Sequence, residues 1–293
     1  MTQNAIVGGI ELGGTKTVLA VGHVDGTIID CHTVPTEQPP MLLEAIAAYF
    51  SQQARNYGAI TAIGAGAFGP IVLDRTAKDF GHLLQTNKPG WSGFALHSAL
   101  TDATGVPISL VTDVGAAGIG EAHMGSLRNT EIGIYLTIGT GIGGAILCHG
   151  KPLPALLHPE LGHIPVQRLS GDTTASLCRF HQQCAEGLAA GPAIVARFGR
   201  PLNLFEGDGP EIALVADYIG QLCASLTFTL SPQRIVIGGG VAKTPYLIPQ
   251  IRARLRTHLA GYGTIPTDDD SYITSPALGD RSGITGALIA ATL

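Results

Sequence analysis

A short apolar strand, a glycine turn and a second apolar strand follow one another at two places in this sequence. The two copies are residues 5–24, with the turn at Gly13-Gly14, and residues 132–148, with the turn at 139–141. Short apolar runs bounded by glycines are typical of strands. Each copy opens a strand-rich half that later becomes helical, so the repeat predicts two similar α/β halves with a cleft between them. The alternative is that two glycine-bearing hairpins, which are common, occur here without internal duplication.

Apolar periodicity predicts the remaining elements. Helical spacing occurs over residues 41–57, 93–103, 116–124, 185–198, 211–230, 247–259 and 284–293. Further strands are predicted over residues 27–34, 59–67, 107–111, 234–237 and 272–277. Residues 71–91 contain turn residues and no regular period, so this segment is predicted to be irregular.

The composition argues against a membrane protein. Of the 293 residues, 45% are hydrophobic and 13% are charged, so the chain can bury a large core. A membrane span needs an apolar run of about 18 residues, and no such uncharged run occurs. Residues 214–230 come closest, but Asp217, Gln221 and Ser225 interrupt them. The N-terminus also lacks the basic and apolar regions of a signal peptide, so we expect a cytoplasmic protein.

Charge and cysteine content exclude two further classes. The formal net charge is −5, and binding to a nucleic acid backbone needs clustered Lys and Arg, so nucleic acid is not an expected partner. The five cysteines are odd in number and have no secretory context, so no disulfide framework is expected. The cysteines in apolar runs, expected to be core residues, are Cys31, Cys148 and Cys223.

The first glycine loop, residues 11–17 (ELGGTKT), combines the residue types that hold phosphate. Glycines let backbone N–H groups approach an anion closely, because no Cβ blocks them. Thr15 and Thr17 add hydroxyl donors, and Lys16 adds a cation. Glu11, at the end of a predicted strand, is placed to hold a metal ion or its waters. Taken alone, an ordinary hairpin with a solvated lysine explains these residues equally well.

Two more glycine segments follow predicted strands. The second glycine loop, residues 137–144 (TIGTGIGG), lacks the terminal Gly-Lys-Ser/Thr of a Walker loop, and it leads into a strand rather than the helix of a dinucleotide-binding fingerprint. The third glycine loop, residues 238–240 (GGG), follows a strand and precedes a helix, where it could let an adenosine lie flat against the backbone. Three glycine turns at strand ends, two of them rich in threonine, favour a nucleoside triphosphate as ligand.

These segments together resemble the ROK family of sugar kinases. The resemblance rests on GGIELGGTKT, LTIGTGIGGAIL, HPELGH at 158–163 and IVIGGG at 235–240, and it spans essentially the whole chain. Within the family, GAFGPI at 66–71 and KPGW at 88–91 are similar to the bacterial fructokinase branch. Glu11 is also similar to that branch, since glucose-specific relatives usually carry Asp there.

The resemblance implies a two-lobed actin/hexokinase-like (ribonuclease H-like) α/β fold with a duplicated core, ATP as phosphoryl donor, Mg²⁺, and commonly a homodimer. It divides the chain into a small lobe of residues 1–114 plus the C-terminal helix 281–293, and a large lobe of residues 115–280. ATP and Mg²⁺ would bind to residues at the three glycine loops and at one further glycine-proline step. These residues are Glu11, Gly13, Gly14, Thr15, Lys16, Thr17, Thr137, Gly139, Thr140, Gly141, Gly191, Pro192, Gly238, Gly239 and Gly240.

Asp113 is the candidate catalytic base. Phosphoryl transfer needs little covalent help from a protein, but a carboxylate that accepts the proton of the attacking hydroxyl also orients that nucleophile. In similar kinases the Asp of a D-V-N-A-A motif does this, and residues 113–117 (DVGAA) match except that Gly115 replaces Asn. The departure puts in doubt the contact that the Asn side chain makes, not the base. Asp113 would also suit the N-cap of the helix predicted from residue 116.

Sugar hydroxyls are bound by carboxylates and imidazoles. Glu160 and His163 of HPELGH, and Glu186 of CAEG, match the positions that hold the sugar in similar proteins. Gly69 and Pro70 of GAFGPI are further candidates for contact with the substrate. The alternative for Glu186 is a charge that stabilises the start of a helix.

His163, Cys178, His181 and Cys184 have the spacing H-x14-C-x2-H-x2-C, which predicts a zinc site. Zn²⁺ takes four N or S ligands tetrahedrally, and x2 spacings let one loop supply three of them. Similar proteins carry the same Cys-His-Cys spacing, and other family members have a third Cys in place of His181. Four protein ligands leave no open position, so the zinc would be structural. His163 would then bind it through one nitrogen and face the sugar with the other.

The sequence therefore predicts an ATP-dependent hexose kinase, in particular a fructokinase that makes fructose 6-phosphate. Two alternatives remain open. One is a kinase of broader specificity for hexoses or N-acylhexosamines, and the other is a catalytically silent sugar sensor that regulates a partner. A catalytically silent protein is disfavoured, because the chain keeps Asp113, Lys16 and both threonine-containing glycine loops.

Overall fold

The computed structural model describes residues 5–86, 88–155, 157–263 and 269–293. Their contacts separate into two compact units, each with its own apolar core. The first unit comprises Met1–Gly125, Pro154–His158 and Asp280–Leu293, and the second comprises Ser126–Leu153 and Pro159–Gly279.

Ten strands and eight helices are defined in this part of the chain. The strands are β1 Ile6–Leu12, β2 Lys16–His23, β3 Ile28–Pro35, β4 Ile60–Ala67, β5 Ile108–Thr112, β6 Ile132–Ile138, β7 Ile142–Cys148, β8 Lys151–Pro152, β9 Arg234–Gly238 and β10 Ile273–Thr274. The helices are α1 Pro39–Tyr57, α2 Leu96–Thr104, α3 Asp113–Met124, α4 Ala185–Ala189, α5 Gly191–Phe198, α6 Pro210–Leu230, α7 Leu247–Leu259 and α8 Ser282–Ala290.

The two sheets have the same topology. The strand order is β3-β2-β1-β4-β5 in the first unit and β8-β7-β6-β9-β10 in the second. In each sheet the strand that comes first in the chain, β1 or β6, pairs antiparallel with the next strand in the chain. The same strand pairs parallel with a later one, β4 or β9. Antiparallel neighbours need only a tight turn, whereas parallel neighbours need a long crossover. The glycine turns predicted from sequence are these tight turns, and the predicted duplicated α/β fold is confirmed.

Helix α6 accounts for the most apolar segment of the sequence. Within the described ranges it is the one helix long and apolar enough to cross a membrane, and 67% of its most apolar window is buried inside the protein. Val215, Ile219 and Leu222 are fully buried in the core of the second unit. Asp217 interrupts the apolar sequence and accepts a hydrogen bond from Nε2 of His258 on α7 at 3.0 Å. This burial is typical of the core helix of a globular unit.

Helices α3 and α8 pack closely because glycines lie at their contact. A Cβ on Gly120 would be 2.3 Å from the carbonyl oxygen of Ser282, and a Cβ on Gly286 would be 1.7 Å from that of Ala116. No side chain fits at either distance. The packing places all of α3 in the first unit, which continues to Gly125, whereas the expected small lobe ends at residue 114. The functional division into lobes stays a prediction.

Two predicted elements differ from the structure. The helix predicted over 185–198 is two helices, because the backbone of Ala190 is extended and Pro192 lies in the first turn of the second helix. The strand predicted over 272–277 is only the two-residue β10, which lies at a sheet edge with a single neighbour. The prediction that Cys31 is a core residue is wrong, because β3 is also an edge strand and leaves this thiol exposed.

Candidate active site

Three parallel strands end side by side at one edge of the first sheet. The register of β1, β4 and β5 places Leu12, Ala67 and Thr112 in one row. The first glycine loop, the Gly69-Pro70 segment and Asp113 therefore leave the sheet at the same edge. Ligands of open α/β sheets bind outside the carboxyl ends of parallel strands. This edge is the candidate active site of the first unit.

Glu11 is a carboxylate in a poorly solvated position at this edge. Its Oε2 is buried and has no hydrogen-bond partner among the described residues. Burial raises the pKa of Glu11 to about 7, and repulsion from Asp113 and Asp280 acts in the same direction. Attraction to Lys16 and a hydrogen bond from the N–H of Ile284 oppose the rise. Glu11, Asp113 and Lys16 are thus close enough to interact electrostatically.

The space for the Glu11 side chain depends on Gly283 in the first turn of α8. A Cβ at this position would be 2.4 Å from Cδ of Glu11, so a larger residue would displace the carboxylate. A buried anionic oxygen without a donor is stabilised by a cation, and carboxylate oxygens are ligands that Mg²⁺ takes in proteins. Glu11 therefore fits the predicted magnesium role.

Asp113 is the first residue of α3, which begins three residues earlier than predicted. Thr112 is the N-cap, because its Oγ1 accepts the N–H of Gly115 at 2.9 Å. The alternative that Asp113 is the N-cap is therefore wrong. Asp113 is partly exposed, and its Oδ1 accepts the N–H of Val114 at 2.8 Å. The helix dipole stabilises a carboxylate in the first turn in its charged form, which is the form that accepts a proton.

The first glycine loop joins β1 to β2 and presents most of its predicted phosphate ligands. Gly14, Thr15 and Lys16 are exposed. Thr17 is fully buried, and its Oγ1 lies 2.9 Å from Oγ1 of Thr36. The prediction that Thr17 offers a donor to phosphate is therefore corrected: the hydroxyl faces the interior, where it supports the loop.

The Gly69-Pro70 segment follows β4 at the same edge. Both residues are partly exposed. A Cβ on Gly69 would lie 3.3 Å from Nε2 of His158, the first residue of the HPELGH motif. The segment is accessible to a substrate, and its contact with sugar stays a prediction.

In the second unit, three glycine segments converge at the end of β6. The N–H of Gly139 donates to the carbonyl of Gly141 at 2.9 Å, and the N–H of Gly191 donates to the carbonyl of Gly139 at 2.8 Å. Gly239 has a φ of 90° and lies so close to Ile138 that a Cβ would be 2.4 Å from its carbonyl oxygen. Only glycine combines this dihedral angle with this approach. The predicted nucleotide residues gathered here are Thr137, Gly139, Thr140, Gly141, Gly191, Pro192, Gly238, Gly239 and Gly240.

Glu186 connects the second glycine loop to the Cys/His cluster. Its Oε2 accepts the N–H of Ile142 at 2.9 Å, and its Oε1 lies 4.0 Å from Nε2 of His163. The side chains of Glu186 and His163 are 31% and 28% exposed, so both remain accessible to a ligand. Glu186 also lies in the first turn of α4, as the helix-start alternative requires. Glu160 is exposed immediately before the 3-10 turn that carries His163.

His163, Cys178, His181 and Cys184 bring their ligand atoms within 4.8 Å of one another. Nδ1 of His163 lies 3.7 Å from Sγ of Cys178 and 3.8 Å from Sγ of Cys184, and Sγ of Cys178 lies 3.5 Å from Nδ1 of His181. With Zn–S near 2.3 Å and Zn–N near 2.0 Å, a tetrahedral site has ligand separations of about 3.3–3.8 Å. These three separations match a tetrahedral zinc site, and two thiols with two imidazoles are a donor set that suits structural zinc. His163 turns Nδ1 to the cluster and Nε2 towards Glu186.

A buried ionic network holds the loop that carries the Cys/His cluster against α5 and α6. Asp172 accepts hydrogen bonds from Nη2 of Arg197 at 2.9 Å, the hydroxyl of Tyr218 at 2.5 Å and the N–H of Thr174 at 3.1 Å. Nη1 of Arg197 donates to the carbonyl of Leu188 in α4 at 2.7 Å. The Asp172 side chain is 3% exposed. Burial favours a higher pKa for Asp172, but the hydrogen bonds from Tyr218, Thr174 and Arg197 lower it to about 2.

Asp172→Asn is expected to lower the free energy of unfolding near neutral pH by about 3 kcal/mol, because it leaves the buried Arg197 charge uncompensated. The folded pKa of Asp172 lies below its ordinary value of 3.8, so the carboxylate stabilises the fold above that value. This contribution of about 2 kcal/mol is lost as the pH falls from about 4 to about 2. Urea unfolding of both proteins across this pH range measures the effect.

The matched control is Asp208→Asn, which changes an exposed carboxylate of the same unit. It is expected to alter the unfolding free energy by less than about 0.5 kcal/mol. Equal stability of Asp172→Asn and the wild type at neutral pH would show that the network contributes nothing.

Comparisons with known proteins cover nearly the whole chain. The ROK family matches residues 7–292. Fructokinases from Pediococcus pentosaceus and Zymomonas mobilis are 37% and 35% identical over 286 residues each, covering 98% and 96% of this chain and 97% and 95% of theirs. The ROK hexokinase structure from Thermus thermophilus has a TM-score of 0.81 and 31% identity, covering 98% of both chains. A ROK family glucokinase from Streptomyces griseus in complex with glucose and AMPPNP has a TM-score of 0.77 and 25% identity, covering 98% of this chain and 99% of that one.

The duplicated sheets and their solved neighbours define an actin/hexokinase-like α/β fold, as predicted. With a family match that extends over almost every residue, the chain belongs to the ROK family. The resemblance predicted from the glycine loops and the HPELGH motif is confirmed.

Four residues that shape the site were not identified from the sequence. Gly283 and Thr36 act through close contact with Glu11 and Thr17, from which they are far apart in the chain. Nothing in their local sequence marks them. Asp172 lies in a polar loop without a recognisable motif. Lys88, whose Nζ donates to the carbonyl of Gly14, belongs to the KPGW motif at 88–91, and that motif could have identified it.

Proposed function

We propose that this chain is an ATP-dependent fructokinase that phosphorylates the 6-hydroxyl of D-fructose, giving fructose 6-phosphate and ADP. The observation that carries the proposal is identity of 35–37% to fructokinases over nearly the full length of both proteins. At the edge of the first sheet, Asp113 supplies the proton acceptor and Glu11 the metal-binding carboxylate that such a reaction needs.

In this proposal Asp113 accepts the proton of the 6-hydroxyl as its oxygen attacks the γ-phosphorus of ATP. The new O–P bond forms while the bond to the leaving ADP oxygen breaks. Asp113 is partly exposed, and its Oδ1 is oriented by the N–H of Val114. A carboxylate oriented in this way positions the hydroxyl for attack, which is the main protein contribution to phosphoryl transfer.

The phosphate groups are bound by residues of the glycine loops. Lys16 and exposed backbone of the first glycine loop supply positive charge and donors, and electrostatic stabilisation of this kind is usually the largest contribution to catalysis. Glu11 would hold Mg²⁺, which supplies further neutralisation of phosphate charge when bound. The glycine segments around Gly139, Gly191 and Gly239 are proposed to hold the remainder of the nucleotide.

The sugar is proposed to bind to Glu160, His163 and Glu186, with Gly69 and Pro70 as further contacts. A structural zinc ion on the Cys/His cluster would fix the ring of His163 through Nδ1 and leave Nε2 for a hydroxyl. This arrangement is supported by the distance of 4.0 Å between His163 Nε2 and Glu186 Oε1. We also propose a cytoplasmic homodimer, as the family resemblance implies.

A second candidate is a hexose kinase of broader specificity. It is favoured by the similarity to the ROK hexokinase from Thermus thermophilus, at 31% identity over 98% of both chains. The two candidates share the catalytic residues and differ in which hydroxyls the sugar-binding residues accept.

Initial rates with fructose, glucose, mannose and N-acetylmannosamine separate the candidates. We expect kcat/KM for fructose to exceed that for each other sugar by about tenfold or more, because hydrogen-bonding sites discriminate strongly between hydroxyl arrangements. ADP release without sugar is the background control. Similar kcat/KM values for two or more hexoses would favour the broader kinase. Absence of turnover with every sugar tested would favour a catalytically silent sensor.

A further inference from the structure

Lys88 lies in a turn that is anchored beside the first glycine loop. Trp91 is 1% exposed, and its ring contacts those of Phe68 and Phe94 with centroids 5.5 Å apart in both cases. Its Nε1–H donates to the carbonyl of Glu37 at 3.2 Å, and its backbone N–H donates to the carbonyl of Lys88 at 3.2 Å. These contacts fix the backbone from which the Lys88 side chain extends.

Three consecutive carbonyl groups of the first glycine loop accept hydrogen bonds from other parts of the first unit. Oγ1 of Thr36 donates to the carbonyl of Gly13 at 2.8 Å, and the N–H of Thr36 donates to the carbonyl of Thr15 at 2.9 Å. Between them, Nζ of Lys88 donates to the carbonyl of Gly14. All three carbonyls are therefore held by the protein.

The amide groups of the loop are arranged differently. The N–H of Gly13 donates to the carbonyl of Lys16 at 3.1 Å, whereas the N–H groups of Gly14 and Thr15 have no hydrogen-bond partner in the part of the chain that the structure describes. Both residues are exposed, and a Cβ on Gly14 would meet nothing within 4 Å. Successive backbone donors left open in this way form an anion-binding concavity.

We infer that Lys88 is a positioning residue of the first glycine loop, which orients the Gly14–Thr15 peptide so that the Thr15 N–H faces a phosphate group. In a planar trans peptide the C=O and N–H bonds point in opposite directions, so holding the Gly14 carbonyl directs the Thr15 N–H away from Lys88. Glycine at position 14 leaves this peptide free to rotate. Without Lys88 the carbonyl can turn outwards, where it would repel phosphate. The inference rests on the proposed function and deepens its nucleotide site.

Lys88→Met is expected to lower kcat/KM for ATP by about 10–100-fold, less than the roughly 10²–10³-fold loss on removing such a donor, because the Thr15 N–H is only misdirected. The KM for fructose should stay within about twofold, because Lys88 acts on the phosphate loop and not on the sugar. Lys88→Arg keeps a charged donor for the Gly14 carbonyl and is expected to recover most of the loss. A thermal midpoint within about 2 °C of the wild type shows that folding is unaffected.

Isothermal titration with a non-hydrolysable ATP analogue tests the inference without turnover. Lys88→Met is expected to bind the analogue about tenfold more weakly, and Lys78→Met, at an exposed lysine of the same unit, is expected to bind it normally. Unchanged analogue affinity in Lys88→Met overturns the inference, as does an equal rise in KM for ATP and fructose.

The same measurements separate this inference from the proposed function. If the wild type binds the analogue and phosphorylates no sugar, while Lys88→Met binds it more weakly, the kinase proposal fails and the inference stands. If the wild type is an active kinase and Lys88→Met behaves like Lys78→Met, the inference alone fails. Absence of analogue binding by the wild type overturns both.

Discussion

Asp113→Asn is expected to lower kcat for sugar phosphorylation by about 10²–10⁴-fold, the range that general base catalysis contributes. The fold should be retained, since Asn keeps an oxygen that accepts the N–H of Val114 and Thr112 still caps α3. The loss of kcat should therefore come from the missing proton acceptor and its missing negative charge. The pKa of Glu11, which repulsion from Asp113 raises, should also fall. Steady-state kinetics at saturating ATP and fructose measure kcat, and circular dichroism measures folding.

The matched control is Asp102→Asn, which neutralises an exposed carboxylate on α2 of the same unit. Its kcat should stay within about twofold of the wild type, because a solvated surface charge contributes little. A kcat for Asp113→Asn within about tenfold of the wild type would be too small a loss for general base catalysis. That result would show that another residue is the base.

Cys178→Ser is expected to remove the metal and to raise the KM for fructose by about 10–100-fold, the usual cost of losing support around a metal-bound histidine. His163 turns one ring nitrogen to the cluster and the other towards Glu186, so loss of the ion frees the ring that is proposed to hold the sugar. Elemental analysis of protein purified without chelator should find about one zinc per chain in the wild type and almost none in the variant.

Cys31→Ser is the control for the thiol chemistry, since Cys31 is an exposed free cysteine in the first unit. It should keep both the zinc content and the KM for fructose. Wild-type protein without zinc would contradict the metal assignment. A zinc-free Cys178→Ser variant with an unchanged KM for fructose would show that the cluster does not support sugar binding.

The fold was largely predictable because its signals are local. Apolar periodicity located α6 and α7 within a residue or two, and the two glycine turns identified the hairpins β1-β2 and β6-β7. The start of α3 was missed because Thr112, at the end of a strand, caps the helix that follows. Strand β10 is only two residues long and has a single neighbouring strand, which periodicity alone could not show.

The candidate site was predictable where its residues act through type and spacing. Asp113 and Glu11 were identified at strand ends, and the Cys/His cluster was identified from its spacing. Thr17 was misassigned because a loop pattern does not show which way a side chain points. Its direction is set by strand β2, which turns it inwards to Thr36.

The amino-acid sequence by itself determined the duplicated α/β architecture, the three glycine loops and the four residues of the Cys/His cluster, because each depends on residue type and short spacing. Only the tertiary structure decided that Gly283 makes room for Glu11, that Lys88 holds the carbonyl of Gly14, and that Asp172 binds Arg197. Those contacts join residues far apart in the chain. The pKa of a carboxyl and the direction of a peptide depend on distances that form only when the core packs.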